Sequence, residues 1–73
     1  MEALDKKALG KAIRDERKAK KLTQSQISSA TSLSRSYLSD VENGRYAPSV
    51  SALSRIAAYL GMDLNLLKAM VKS

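Results

Sequence analysis

Few residues in this sequence could do covalent or metal chemistry. Its 73 residues include neither His nor Cys. That removes Ser-His-Asp triads, thiolate zinc sites, a disulfide framework and the commonest general base. The adjacent carboxylates Asp15 and Glu16 could in principle hold Mg²⁺. On a helix, however, neighbouring side chains diverge by about 100° and do not converge on one ion. An enzyme, a nuclease included, is therefore not expected, and neither is a metal, a cofactor or a small-molecule ligand. What remains is the chemistry of charge. Thirteen Lys and Arg against seven Asp and Glu leave a net charge of +6. A small basic domain suits a polyanion, most often nucleic acid.

The charge is unevenly placed. Residues 1–21 carry eight basic and four acidic side chains, whereas in residues 22–46 Arg35 and Arg45 balance Asp40 and Glu42. Taken alone, the first run reads as a solvated helix face. Leu4, Leu9 and Ile13 are too few apolar anchors for a helix lying on a membrane. No apolar run approaches the roughly 20 residues that span a bilayer. The opening MEALDKKALG lacks the apolar stretch of a secretory signal. A cytoplasmic protein, without a membrane partner, is the expectation.

The elements that must position these residues are marked by a signal that recurs five times. A hydrophobic staple sets an apolar residue before a Ser, Thr, Asp or Asn cap and another four residues beyond it. LDKKAL, LTQSQI, LSRSYL, PSVSAL and MDLNLL all fit, with Pro48 the weakest first member. They place N-caps at Asp5, Thr23, Ser34, Ser49 and Asp63, and Gln26 completes a capping box with Thr23. Gly44 and Gly61 stand where a left-handed residue would end the third and fourth helices. The pattern predicts helices over 6–20, 24–31, 35–43, 50–60 and 64–71. Val50, Leu53, Ile56, Ala57 and Leu60 form the clearest stripe at helical period. The serines of residues 25–39 resemble a low-complexity linker, but Ile27, Leu33, Leu38 and Val41 interrupt them at helical spacing. The expected fold is all-α, five short helices around one core, with residues 1–73 as a single domain.

A short helix, a turn of about three residues around Ser32 and Leu33, and a second helix make a helix-turn-helix unit over about 23–44, which docks its second helix in the DNA major groove. Residues 9–67 resemble the lambda-repressor and Cro-like helix-turn-helix domain of bacterial and phage regulators. The most specific pieces are Leu22-Thr23-Gln24, the run from Ser39 to Gly44 (SDVENG), and Pro48-Ser49 followed by the Leu53, Ile56, Ala57, Leu60 stripe. Two positions depart from the family's pattern: Ser28 stands where an Ala is usual, and Ser32 where a Gly is usual. Ser28 needs a partner for its hydroxyl, such as a carbonyl one turn earlier. Ser32 must hold or avoid a left-handed conformation that costs a residue with a Cβ roughly 1 kcal/mol or more. Gly10, matched by Gly in many relatives, is explained best by close helix packing.

The resemblance implies a role for each polar residue of the unit. It puts Arg35, Ser36, Tyr37, Ser39 and Asp40 on the recognition helix, with the positions of Arg35, Ser36 and Asp40 facing base edges. Helical geometry agrees, since residues 35, 36, 39, 40 and 43 share the side opposite Leu38 and Val41. Arg35 suits a bidentate contact to guanine O6 and N7, the alternative being a surface salt bridge with Asp40. Asp40 either accepts from a cytosine amino group or orients Arg35. Ser36 and Ser39 either read bases or are solvated. Tyr37 either turns its hydroxyl to a phosphate or packs its ring at the helix start. In relatives the Gln at the position of Gln24 anchors a phosphate, and the loop holding Asn43, Arg45 and Tyr46 meets the sugar-phosphate backbone. Such contacts orient the protein without reading sequence. The family also links its first helix to the end of the recognition helix by the pair that Arg17 and Glu42 would form here.

On the fifth predicted helix Leu66, Met70, Leu67, Val71 and Leu64 fill an arc of roughly 160°, wider than the stripe of about 100° that seals one core. Leu67, as staple partner of Met62, should face inward. One flank, Leu66/Met70 or Leu64/Val71, is then left for an interface, and many relatives pair through this region. The expectation is a sequence-specific regulator of double-stranded DNA, a nucleoid-associated dimeric repressor. Its rival is an antitoxin-type module that binds a toxin protein and regulates its own operon. That reading expects more chain than the tails 1–4 and 72–73.

Overall fold

The computed structural model describes residues 5–70, and the side chains of 6–69. Five helices follow one another: α1 (Asp5–Ala19), α2 (Gln24–Thr31), α3 (Arg35–Glu42), α4 (Val50–Leu60) and α5 (Leu64–Met70). The described residues contain no strand. The starts lie where the caps put them. The Thr23 hydroxyl accepts from the Gln26 amide at 3.0 Å, and the Gln26 side chain accepts from the Thr23 amide at 2.8 Å. Ser34 and Ser49 accept from the amides of Tyr37 and Ala52, and the Asp63 carboxylate accepts from that of Asn65. α1 is helical from Asp5, the first described residue, and the Asp5 side chain lies outside the described residues. α1 and α3 each end one residue sooner than predicted, and position 71 of the predicted fifth helix is also outside them.

The staples close onto the core. Ile27, Leu38, Leu53 and Leu67 are buried, and their partners Leu22, Leu33 and Met62 are half-buried against them. Leu9, Ile13, Val41, Ile56 and Leu60 complete the interior. Burying each such side chain is worth about 1.5–3 kcal/mol, the main force holding five short helices together.

All four connections turn through a left-handed residue, and in three of them a following amide reaches back five residues. Gly44 and Gly61, at φ +73° and +72°, do so after α3 and α4. Arg45 N–H then meets the Asp40 carbonyl, and Met62 N–H meets that of Ala57. After α1 the same turn falls on Lys21, at φ 58°. Nothing in the Lys20-Lys21-Leu22 sequence signals it. Ser32 holds the left-handed conformation, at φ 64°, without a glycine's freedom. The expected bond from Ser28 to a carbonyl one turn earlier is not among those of the described residues. Thr31, one residue before the strained turn, makes that bond instead, to the Ile27 carbonyl at 2.7 Å, and also accepts from Leu33 N–H. Gly10 explains how closely α1 and α3 approach. A Cβ there would press into the Val41 carbonyl oxygen and lie 2.7 Å from that of Glu42.

Candidate nucleic-acid interface

The unit built from α2, the turn at Ser32 and α3 presents one side of α3 to solvent. Arg35 and Ser36 are exposed, Ser39 and Asp40 half-buried, and Asn43 exposed, while Leu38 and Val41 on the opposite side are buried. Gln24, Ser28, Ser34, Arg35, Ser36 and Ser39 line a shallow polar cleft between α2 and α3. The structure thus gathers Arg35, Ser36 and Ser39 with Gln24 on one open surface.

Behind that surface sits a buried ionic joint. Arg17 of α1 meets Glu42 of α3 twice, Nε to Oε2 at 2.7 Å and Nη2 to Oε1 at 2.9 Å. The side chains are only 12% and 3% exposed. The Glu42 hydrogen bond holds the Arg17 guanidinium above its usual pKa, against the opposing effect of burial. Gln24 joins the joint, its side-chain amide donating to Glu42 Oε1 at 3.1 Å. One carboxylate therefore ties together α1, the first residue of α2 and the last of α3. The link from Gln24 to Glu42 is absent from the sequence reading, because it requires the two helix ends to be already packed.

Asp40 behaves differently from the expectation that it orients or pairs with Arg35. It pairs with Arg45 instead, Nε to Oδ1 at 3.3 Å, and lies 3.5 Å from the Tyr46 hydroxyl. The reason is angular. Five residues on a helix turn about 140°, so Arg35 and Asp40 stand at opposite edges of the α3 face. The loop, by contrast, brings Arg45 and Tyr46 back against Asp40. Tyr46 also lies against Tyr37, ring centroids 5.6 Å apart and planes inclined at 45°. Desolvation first, and the Asp40 charge next, raise the Tyr46 phenol above its ordinary pKa, so it stays a neutral donor.

The Tyr37 hydroxyl, for which a phosphate was one of two expectations, accepts a bond from Ser49 N–H at 3.3 Å. Its structural role is thereby visible: it ties α3 to the start of α4. Asn43 caps α3, its backbone N–H reaching the Ser39 carbonyl at 3.0 Å and its side chain lying 3.4 Å from the Ser39 hydroxyl. The tyrosine pair and the Asp40–Arg45 contact left no signal in residue spacing. They depend on the path of loop 43–49.

On α5, Leu67 is buried, and Leu64 is half-buried against the core. Leu66 points outward, 66% exposed. Of the two flanks offered by sequence, the one containing Leu64 is thus partly used by the core. The Met70 side chain and Val71 lie outside the described residues. Among the described residues no helix is long and apolar enough to cross a membrane.

Known proteins share this arrangement. A helix-turn-helix family model matches residues 13–67. The chain is 55% identical over 65 residues to the ImmF control region 10 kDa protein of Bacillus phage phi105, covering 89% of this chain and 72% of that protein. It is 46% identical over 57 residues to an immunity repressor protein of the same phage, covering 78% of this chain but 40% of the repressor. Among solved structures it resembles the restriction-modification controller protein C.AhdI of Aeromonas hydrophila, at 29% identity and a TM-score of 0.81 over 89% of this chain and 98% of that one. It also resembles the clp gene regulator ClgR of C. glutamicum, at 32% identity and a TM-score of 0.81 over 94% and 90% of the two chains. With the model spanning most of the chain and relatives this close, the chain belongs to the helix-turn-helix family of lambda-repressor/Cro-like DNA-binding transcription regulators.

Proposed function

We propose that this regulator is a dimeric repressor that reads double-stranded DNA with the outward side of α3 in the major groove. The observation that carries the reading is that side itself. Arg35 and Ser36 stand open at the start of α3, while its other side is anchored by Leu38, Val41 and the buried Glu42. Preorganised polar side chains on a rigid helix are what base readout needs, because each bond must form without reordering the scaffold. Arg35 offers the fork that matches guanine O6 and N7, with Ser36, Ser39 and Asp40 beside it. A Gln amide has two donors, and Gln24 gives one to Glu42, leaving the other for a phosphate at the start of α2. Asn43, Arg45, Tyr46 and the Tyr37 hydroxyl flank the far end of α3 and suit the backbone of the same groove. The similarity to an immunity repressor favours repression. Exposed Leu66 supplies an apolar point for pairing through α5, on the flank that sequence shares between Leu66 and Met70 rather than the one of Leu64 and Val71.

Hydroxyl-radical footprinting on a bound duplex tests the reading. A two-fold dimer protects two backbone segments about one helical turn apart, roughly 34 Å. Protection of one half-site at high protein concentration removes the dimer. No protection of any duplex removes the DNA-binding role.

A further inference from the structure

The lysine-rich start of the chain is the largest charged feature that the helix-turn-helix unit leaves unused. That unit, residues 22–46, is neutral: Arg35 and Arg45 are matched by Asp40 and Glu42. Duplex DNA carries about one negative charge per 1.7 Å of its axis, so a neutral reading head needs positive charge from elsewhere. In and just after α1 three of the basic side chains are held in pairs. Lys11 binds Asp15 at 2.7 Å, Arg14 and Lys18 also act on that carboxylate, Lys20 pairs with Glu16, and Arg17 is held by Glu42.

The first turn of α1 is placed differently. Lys6 Nζ lies 3.5 Å from the Arg45 carbonyl oxygen, 39 residues away in sequence. Lys7 packs on the neighbouring Gly44, where an added Cβ would stand 2.7 Å from Lys7 Cγ and 2.9 Å from its Cα. Both lysines are exposed. They flank the loop that leaves the recognition helix.

We infer that Lys6 and Lys7 form, with Arg45, a basic strip that binds the phosphate backbone of duplex DNA beside the end of α3. The inference rests on the DNA-binding reading of α3 and adds to it a second element, the first turn of α1. Two ammonium groups there bring positive charge to the loop beside the end of the neutral unit. Neither reads sequence, since a lysine meets phosphate as a point charge. A purely structural role is the competing explanation, because Lys6 also faces the negative, carbonyl end of α3.

The salt dependence of binding separates the two. The full chain is titrated against a short mixed-sequence duplex over a range of NaCl concentrations, with thermal melting of each variant alongside. Lys6→Gln with Lys7→Gln keeps the aliphatic stems over Gly44 and removes the charges. Each lost phosphate contact lowers the slope of log K against log salt by about 0.9, so the double variant is expected to lose about 1 to 2 from it. Lys11→Gln with Lys20→Gln removes the same net charge from matched positions and is expected to leave the slope nearly unchanged. Lys6→Arg with Lys7→Arg restores it. If the double variant melts early, the two single variants are read separately. An unchanged slope for Lys6→Gln and Lys7→Gln, while wild type binds with a steep one, overturns the strip and leaves the α3 reading intact. An equal fall in the Lys11 and Lys20 control overturns it as well, since net charge alone would then explain the loss. Wild type that binds no duplex even at low salt brings down the α3 reading and the strip together.

Discussion

Arg17 and Glu42, 25 residues apart, are joined by two parallel N–H···O bonds of 2.7 and 2.9 Å. The third arm of the same guanidinium donates to the Leu22 carbonyl at 2.9 Å, in the connection that leads into α2. One side chain thereby sets the angle of the recognition helix and the path of the chain entering the helix before it. A buried pair of this kind need not add much net stability, because desolvation opposes the attraction. Breaking it is another matter. Arg17→Ala or Glu42→Ala should each cost about 3 kcal/mol in urea unfolding, with the double variant recovering part of the loss. Two small additive effects would contradict a coupled buried pair. Arg17 brings little pH dependence. Its folded pKa is raised, so its contribution persists below the ordinary arginine range and is lost only above it.

The left-handed turn at Ser32 predicts a gain. A residue with a Cβ pays roughly 1–2 kcal/mol there, whereas a glycine's freer unfolded chain costs about 0.4–1 kcal/mol. Ser32→Gly should therefore raise stability by up to about 1.6 kcal/mol, read as an increase in melting temperature. A decrease would mean that the serine is doing something in the folded turn that its backbone angles do not reveal.

Glycines 10 and 61 should both lose stability on change to alanine, for different reasons. At Gly10 the methyl group meets rigid backbone carbonyls of α3, at Val41 and Glu42, while at Gly61 nothing lies within 4 Å. Gly10→Ala improves helix propensity by roughly 1 kcal/mol, yet overpacking costs about 1–3 kcal/mol and should prevail. Gly61→Ala carries the left-handed penalty, roughly 1–2 kcal/mol, less about 0.4–1 kcal/mol from a stiffer unfolded chain. Melting of the two variants checks both values. A stabilising Gly10→Ala would show that α1 and α3 can separate at little cost.

Asp40 should matter to DNA and hardly to folding. Its pair with Arg45 lies at the surface, with Arg45 exposed and Asp40 half-buried, and surface pairs are worth about 0–1 kcal/mol. Asp40→Ala is expected to leave the urea midpoint nearly unchanged while altering the set of bound sequences. A large loss of stability would instead make Asp40 a structural anchor of loop 43–49.

Sequence made some layers of this molecule legible and others not. Helix starts were visible because Thr23, Ser34 and Ser49 act on amides three residues away, a range that a sequence displays directly. The core was visible for the same reason, through Ile27, Leu38, Leu53 and Leu67 at fixed distance from their caps. The left-handed turn at Lys21 was not, since a lysine carries no mark of it. Nor were the contacts of Asp40 with Arg45, Gln24 with Glu42 and Tyr37 with Ser49. Each depends on where a loop or a helix end lies after packing, and for Asp40 the helical angle sets it apart from Arg35, the partner that sequence proximity suggested.

The most direct test of the account is selection of bound sites from random duplex DNA, carried out in parallel with the wild-type chain and with Arg35→Ala. The wild type should enrich a two-fold symmetric site with half-sites about one DNA turn apart. Arg35→Ala should lose roughly 1–3 kcal/mol of affinity and its preference at one guanine in each half-site. A wild-type chain that enriches no sequence, or an Arg35→Ala variant that selects the same site unchanged, would contradict the assignment of α3 as the reading element.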